Sequence, residues 1–137
     1  MHEWALADAV ISTVERLYEE NGRKRILSVR VLIGELQHIE MEVFSMGLQN
    51  LLAERPFSTD VFHFEKEKAS FRCNACGNQW LLEQHPELGE EELEAIHFLP
   101  EAAHVYMRCP SCGSPDFSLE KGRGVRIKSV DLEAPDD

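Results

Sequence analysis

Two C-x-x-C pairs constrain this chain more than any other feature of its sequence. They are Cys73-Asn-Ala-Cys76 and Cys109-Pro-Ser-Cys112, and a glycine follows each pair directly. Such a pair lets two thiolates from one tight turn bind the same metal, and the glycine supplies the positive φ that the turn usually needs. Four sulfur ligands are the set that a tetrahedral structural zinc site takes. We therefore expect Cys73, Cys76, Cys109 and Cys112 to hold structural Zn(II).

The alternatives for the cysteines are disulfides and a redox-active pair. No stretch resembles a signal peptide, so we expect a reducing, cytoplasmic location, where disulfides are rare. A redox motif needs only one pair, in a βαβ context that the sequence does not show. Residues 77–108 separate the two pairs, whereas the usual spacer has about 15–20 residues. So long an insertion on a rigid metal site indicates a function of its own.

Composition limits the classes of function. The chain has 137 residues, 43% of them hydrophobic, and a formal net charge of -11. This length suits one compact domain, or one domain with a small appendage. No apolar run approaches the roughly 18 residues of a membrane span. The negative charge argues against binding to the phosphate backbone of nucleic acid, which needs clustered lysine and arginine.

Hydrophobic periodicity indicates an α+β fold. At 100° per residue, the apolar side chains of 3–21 share one face, which predicts an amphipathic helix. The segment 25–33 is short and rich in β-branched residues, which predicts a buried strand. The further elements expected are a helix at 40–53, strands at 61–64, 69–72 and 125–132, a charged turn at 65–68, and a solvated acidic flap at 83–94 with at most one helical turn.

These elements predict a small mixed three-stranded sheet with two helices, plus an inserted four-cysteine zinc-ribbon domain. Residues 1–70 together with 120–137 are expected to form the α/β domain, and 71–119 the inserted zinc-binding domain. The ribbon is too small to bury a sufficient core alone, so zinc has to stabilise it. Structural zinc contributes on the order of 10–16 kcal/mol in comparable small units.

A second set of metal donors lies at Met1-His2-Glu3. The Met1 amine and the His2 amide nitrogen close a five-membered ring on a metal, and the same amide closes a six-membered ring with Nδ1 of His2. The Glu3 amide is an alternative to the amine, and the Glu3 carboxylate is an additional donor. Three nitrogens in one plane with one open position suit a square-planar ion such as Ni(II) or Cu(II). From residue chemistry alone, a solvated histidine remains the alternative.

The sequence also resembles a known family. The stretch from Met1 to Ala7, the Gly34-Glu35-Leu36 segment, the two C-x-x-C-G turns and Gly122-Arg123-Gly124-Val125 are together similar to the HypA/HybF family of hydrogenase nickel-maturation metallochaperones. The similarity covers nearly the whole chain. The long spacer, with Ile96-His97-Phe98-Leu99-Pro100-Glu101, resembles the archaeal type, in which a second histidine lies in the spacer.

This resemblance implies a nickel site at the N-terminus, a structural zinc site and no catalysis. His2 is then the principal nickel ligand, nitrogens near Met1, His2 and Glu3 fill most of the plane, and His97 is the candidate for the fourth position. His104 is its main rival, while His63, His85 and His104 are otherwise expected to be surface histidines. The implied partners are a GTPase or ATPase of the HypB type, the [NiFe]-hydrogenase large-subunit precursor and a urease accessory pathway.

Two other classes of function remain as alternatives. One is a zinc-ribbon adaptor or nucleic-acid-binding module, and the net charge of -11 weighs against its nucleic-acid form. The other is a zinc hydrolase. Four sulfurs would leave no coordination position for water, and His2-Glu3 lacks the second histidine of an H-E-x-x-H motif.

Overall fold

The computed structural model describes residues 2–134, with the side chain of His2 outside the description. The described chain forms two compact units: residues 2–32, 39–65 and 125–134 make up the first, and residues 33–38 and 66–124 the second. In chain order the elements are α1 (His2–Glu20), β1 (Ile26–Gly34), α2 (Met41–Leu52), β2 (Phe62–Glu67), β3 (Ser70–Cys73), β4 (Gln79–Leu81), α3 (Glu90–Phe98), α4 (Ala103–Tyr106), β5 (Phe117–Lys121) and β6 (Val125–Leu132). The α+β class is confirmed, whereas the domain bounds 1–70, 71–119 and 120–137 stay a prediction.

The first unit buries the apolar faces of α1 and α2 together with a sheet of strand order β2-β1-β6. Ile11 and Val14 of α1 are fully buried, as the helical periodicity requires. Val29 and Val31, two residues apart on β1, are also fully buried on one side of the strand. Phe44 brings α2 into the same cluster. The predicted helices and the predicted strands at 25–33 and 125–132 are therefore confirmed, with bounds shifted by at most one residue.

The second unit is built on an antiparallel sheet of order β4-β3-β5. Phe71 lies opposite Trp80 on β4, and Cys73 lies opposite Phe117 on β5. Leu82 and Ile96 are fully buried in the hydrophobic cluster of this unit. The ribbon therefore has a small core of its own, to which the long spacer contributes.

None of the helices among the described residues combines the length and the hydrophobicity that a membrane span requires.

The prediction of a charged turn at 65–68 is wrong, because β2 continues to Glu67. Charged residues are stable on this strand because they have ionic partners. Glu65 accepts a hydrogen bond from Arg30 at 2.7 Å and lies 3.6 Å from Lys128. Such opposite-charge pairs favour strand pairing, and residues 65–67 are therefore part of a strand.

The acidic flap predicted at 83–94 is also more ordered than expected, since its residues 90–94 begin the nine-residue helix α3. Three glutamates at its start, residues 90–92, lie in the first turn, where negative charge interacts favourably with the helix dipole. Ile96 is fully buried and packs the helix against the core of the unit. The glutamates therefore stabilise the helix start instead of keeping the segment irregular.

Residues 33–38 join the second unit although they precede the cysteines by more than thirty positions. The N–H groups of Gly34, Glu35 and Leu36 donate to the carbonyls of Gly124, Glu67 and Gly122 at 2.9, 2.8 and 2.7 Å. A Cβ on Gly34 would lie 2.4 Å from both the carbonyl carbon and the oxygen of Gly122. Only glycine allows this close backbone approach.

Candidate metal centres

The four predicted zinc ligands lie together in the second unit. All four sulfur atoms are within 4.8 Å of one another, with Sγ separations of 3.6 Å for Cys73 and Cys112 and 3.7 Å for Cys76 and Cys109. A tetrahedron with zinc–sulfur bonds of about 2.3 Å has sulfur–sulfur edges of about 3.8 Å. The donor set and its dimensions therefore fit a single tetrahedral zinc ion.

Two nearly identical turns produce this arrangement. In each, the sulfur of the first cysteine accepts N–H groups from the turn: Cys73 from Ala75 and Cys76 at 3.3 and 3.4 Å, and Cys109 from Ser111 and Cys112 at 3.4 and 3.5 Å. Each turn closes on a glycine of positive φ, +79° at position 77 and +77° at position 113. The repeat of C-x-x-C-G is thus a repeat of backbone geometry.

The turns also set the charge of the sulfurs. Burial opposes ionisation of Cys109, but hydrogen bonds from the N–H groups of Cys112 and Ser111 outweigh it and lower its pKa to about 6. The N–H of Cys76 is the largest cause that lowers the pKa of Cys73. The pKa of Cys112 is raised to about 12, because the neighbouring cysteine side chains outweigh the favourable Ser114 N–H. Four thiolates this close need a cation between them, which is what metal binding supplies.

Aromatic side chains support the cluster from the sheet. Trp80 and Phe117, at similar offsets after their cysteine turns, have ring centroids 5.5 Å apart, and both contact Phe71. His104 stacks on Phe117 at 4.2 Å. Within the described residues, Nε1 of Trp80 is buried with no hydrogen-bond partner. Trp80 and Phe117 therefore pack in one aromatic cluster with Phe71.

The N-terminal donors are only partly within the described chain. Met1 lies outside the described residues, and for His2 the structure gives the backbone at the start of α1 but not the side chain. Glu3 is buried at 9% exposure, and its Oε1 accepts the N–H of Glu40 at 3.4 Å, just before α2. Met1, His2 and Glu3 therefore stay predicted nickel ligands.

His97 lies in the last turn of α3, and its ring makes two hydrogen bonds in the second unit. Its Nδ1 is 2.6 Å from the carbonyl oxygen of Leu93, and its Nε2 is 2.8 Å from Oε2 of Glu35. Both partners are acceptors, so only the doubly protonated ring can donate to both at once. Glu35 is held in position as the acceptor for Nε2. Only 12% of its side chain is exposed, and its Oε1 accepts the N–H of Ala69 at 2.8 Å.

No local sequence pattern connects Glu35 with His97, because the two residues are 62 positions apart. His63 and His104 are exposed, as expected. His85 is not: it is buried at 6% exposure, accepts the Glu87 N–H at Nδ1 and donates from Nε2 to the carbonyl of Arg108. It is a packed core histidine because its ring satisfies two backbone groups.

Comparison with known proteins identifies relatives along almost the whole chain. The family model described as HypA, hydrogenase/urease nickel incorporation metallochaperone, matches residues 1–132. The hydrogenase maturation factor HypA of Pyrococcus abyssi is 41% identical over 134 residues, which cover 97% of this chain and 96% of that protein. The HypA of Methanopyrus kandleri is 34% identical over 136 residues, covering 98% and 95%.

Solved structures agree at the level of the fold. The solution structure of the nickel metallochaperone HypA from Helicobacter pylori superposes with a TM-score of 0.63 at 19% identity, covering 97% of this chain and 98% of that one. A second solution structure of a HypA protein gives a TM-score of 0.67 at 20% identity, covering 98% of both chains. The resemblance found in the sequence is thereby confirmed: this chain belongs to the HypA family of hydrogenase maturation metallochaperones.

Proposed function

We propose that this protein binds Ni(II) at its N-terminus and delivers it to the large-subunit precursor of a [NiFe]-hydrogenase. In this proposal Met1, His2 and Glu3 supply the local ligands, and His97 supplies the remote one. The chain acts with a GTPase or ATPase of the HypB type and is itself not an enzyme. A urease accessory pathway is a second destination for the metal. The observation that carries the proposal is the HypA match, which includes the Met1-His2-Glu3 start.

The position of α1 supports the local ligand set. Helix α1 begins at His2, and the first turn of a helix has no carbonyls four residues earlier for its N–H groups to bond. Coordination at such nitrogens therefore costs no intrahelical hydrogen bond. With the Nδ1 of His2, these nitrogens form fused chelate rings around a square-planar ion. The buried Glu3 side chain, bonded to the N–H of Glu40, holds the start of α1 in place.

The cysteine cluster serves a different purpose in this proposal. Cys73, Cys76, Cys109 and Cys112 hold zinc, which supplies folding free energy to the second unit and no open coordination position for chemistry. The sulfur spacing fits that ion. The cluster thus fixes the two ends of the spacer that carries His97.

Release of nickel follows from the composition of the site. Three local nitrogens bind the ion, and the remote imidazole of His97 completes the plane. Withdrawal of His97 opens a coordination position for a donor of the receiving protein. Nickel affinity then depends on a part of the chain that a partner is able to move.

Nickel and zinc measured per chain on untagged protein test the local site. Wild type is expected to hold one of each, and His2→Ala is expected to lose high-affinity nickel while keeping zinc. His63→Ala is the matched control, because His63 is an exposed histidine on β2. An added residue before Met1 is expected to weaken nickel binding almost as much as His2→Ala. Normal nickel binding by the extended protein would show that the proposed chelate is wrong.

Calorimetry with nickel tests the remote ligand. His97→Ala is expected to weaken nickel binding severalfold at unchanged zinc content, whereas His104→Ala is expected to bind nickel like wild type, since its ring stacks on Phe117. Equal affinity of His97→Ala and wild type would remove His97 from the site. Delivery is tested by transfer of nickel to a purified large-subunit precursor, with and without the HypB-type partner.

A further inference from the structure

The ring of His97 is fully engaged in the second unit. Nδ1 faces the carbonyl of Leu93 in its own helix at 2.6 Å, and Nε2 faces Oε2 of Glu35 at 2.8 Å. A histidine binds a metal through the lone pair of one ring nitrogen. Neither nitrogen has a lone pair free for nickel while both of these hydrogen bonds are made.

The Glu35 carboxylate is fixed independently of His97. Its other oxygen accepts the N–H of Ala69 at 2.8 Å, and the N–H of Glu35 itself donates to the carbonyl of Glu67 at 2.8 Å. The same segment also holds the backbone of His97, because Nε2 of His38 donates to the His97 carbonyl oxygen. Residues 33–38 therefore hold both the ring and the backbone of His97.

Only one of the two ring nitrogens is suited to an ion held elsewhere in the protein. Nδ1 points at the carbonyl of residue 93, one turn back on α3, so its lone-pair direction is filled by helix backbone. Nε2 is at the far end of the ring, and its partner is the side chain of Glu35, from which the ring can separate without breaking a bond within α3. A nickel ion that recruits His97 therefore replaces Glu35 at Nε2.

We infer that Glu35 is a latch that competes with nickel for Nε2 of His97 and so keeps the remote ligand out of the nickel site until the pair opens. This inference rests on the proposed function, since it assumes that His97 is a nickel ligand. Only the fraction of molecules with an open latch is competent to use His97, and the apparent dissociation constant rises in inverse proportion to that fraction. A partner that moves α3 away from residues 33–38 would open the Glu35–His97 pair and raise the nickel affinity. A partner that holds the pair closed would lower the nickel affinity.

The test is Glu35→Gln. The amide keeps the size of the side chain and an oxygen for the Ala69 N–H, and it removes the charge that strengthens the bond to His97. With its oxygen on the Ala69 N–H, the amide turns its NH2 group, a donor, toward Nε2, so the bond from the protonated ring is lost and nickel binding is expected to become about three- to tenfold tighter. Glu83→Gln is the matched control: it removes the same charge from the same unit, where Glu83 pairs with Lys68 at 2.7 Å, and it is expected to leave nickel affinity unchanged.

A double-mutant cycle separates the latch from the proposed function. In a His97→Ala background, Glu35→Gln is expected to have no effect on nickel affinity. If His97→Ala weakens nickel binding but Glu35→Gln leaves it unchanged or weaker, the latch is refuted while the nickel site stands. If His97→Ala has no effect, His97 is not a nickel ligand and the latch is refuted; if no variant and no wild-type protein binds nickel, the proposed function fails as well.

A spectroscopic readout follows the pair without relying on affinity. In zinc-loaded, ¹⁵N-labelled protein, a hydrogen-bonded Nε2–H signal of His97, assigned by its loss in His97→Ala, is expected before nickel is added and is expected to disappear with one equivalent of nickel. Persistence of that signal in the nickel-bound protein would show that Glu35 and His97 stay paired, which overturns the latch. Zinc content and circular dichroism of Glu35→Gln establish that the variant is folded.

Discussion

Replacing Gly34 by alanine tests the close backbone approach that sets the position of Glu35. The new Cβ would lie 2.4 Å from the carbonyl carbon and oxygen of Gly122 and 2.6 Å from the nitrogen of Arg123. All three are backbone atoms, so no side-chain rotation relieves the contact. Two hydrogen bonds hold the backbone on either side, from Gly34 N–H to Gly124 and from Leu36 N–H to Gly122.

The expected loss of stability is large. Overpacking usually costs 1–3 kcal/mol, and because the clash here is with fixed backbone we expect about 3 kcal/mol or more for the second unit. Gly47→Ala is a control of opposite sign. Its Cβ would meet Trp4 and Ala7 at 3.4–3.5 Å, which is ordinary contact, and alanine in a helix interior gains up to about 1 kcal/mol over glycine.

Tryptophan fluorescence during urea unfolding of zinc-loaded protein separates the two units. Trp80 is buried in the second unit and reports on Gly34→Ala in a Trp4→Phe background. Trp4 lies in the first unit and reports on Gly47→Ala in a Trp80→Phe background. A loss of less than about 1 kcal/mol for Gly34→Ala, well below the range expected for overpacking, would refute the argument from backbone contact. The variant is also expected to bind nickel with altered affinity, because Glu35 follows Gly34 directly.

Cys109→Ser is expected to reduce zinc to well below one per chain and to expose Trp80, since a structural zinc contributes on the order of 10 kcal/mol; metal analysis and the fluorescence maximum check this. Acid is expected to release nickel before zinc. An imidazole and an α-amine, whose ordinary pKa values are about 6.5 and 7.7–8.0, must lose their protons to bind nickel, whereas four cysteine sulfurs enclose zinc in a closed site. Simultaneous release in a pH titration would contradict this order. Phe117→Ala is expected to cost about 3–5 kcal/mol, because its ring contacts Phe71 and Trp80, and urea unfolding followed at Trp80 reports it.

The features that the sequence predicted correctly are those that depend on residues close together in the chain. The apolar face of α1, the β-branched strand β1 and the paired cysteine turns follow from periodicity and spacing, and the structure contains all three. The acidic helix α3 differs from the predicted flap because its stability comes from Ile96, which is buried only in the folded unit.

The contacts that sequence could not supply are those between distant segments. Glu65 was expected in a turn, but its partners Arg30 and Lys128 come from 35 residues before it and 63 after it and make it part of a strand. The pairing of Glu35 with His97 is likewise non-local. The order of side chains along the chain does not show which distant residues will pair. A C-x-x-C turn is predictable because both of its metal ligands lie within four residues.

The contribution of residues 33–38 to the second unit has a consequence for insertions and deletions. Three successive N–H groups of this segment bond to three separate carbonyls, and Leu36 is buried in the core of the unit. Adding or removing one residue here would shift all of these partners at once. Residues 86–89, between the short turn at 82–84 and α3, make no comparable series of backbone bonds in the described structure. Changes in length are therefore tolerated in the spacer much more readily than in the six residues that hold its histidine.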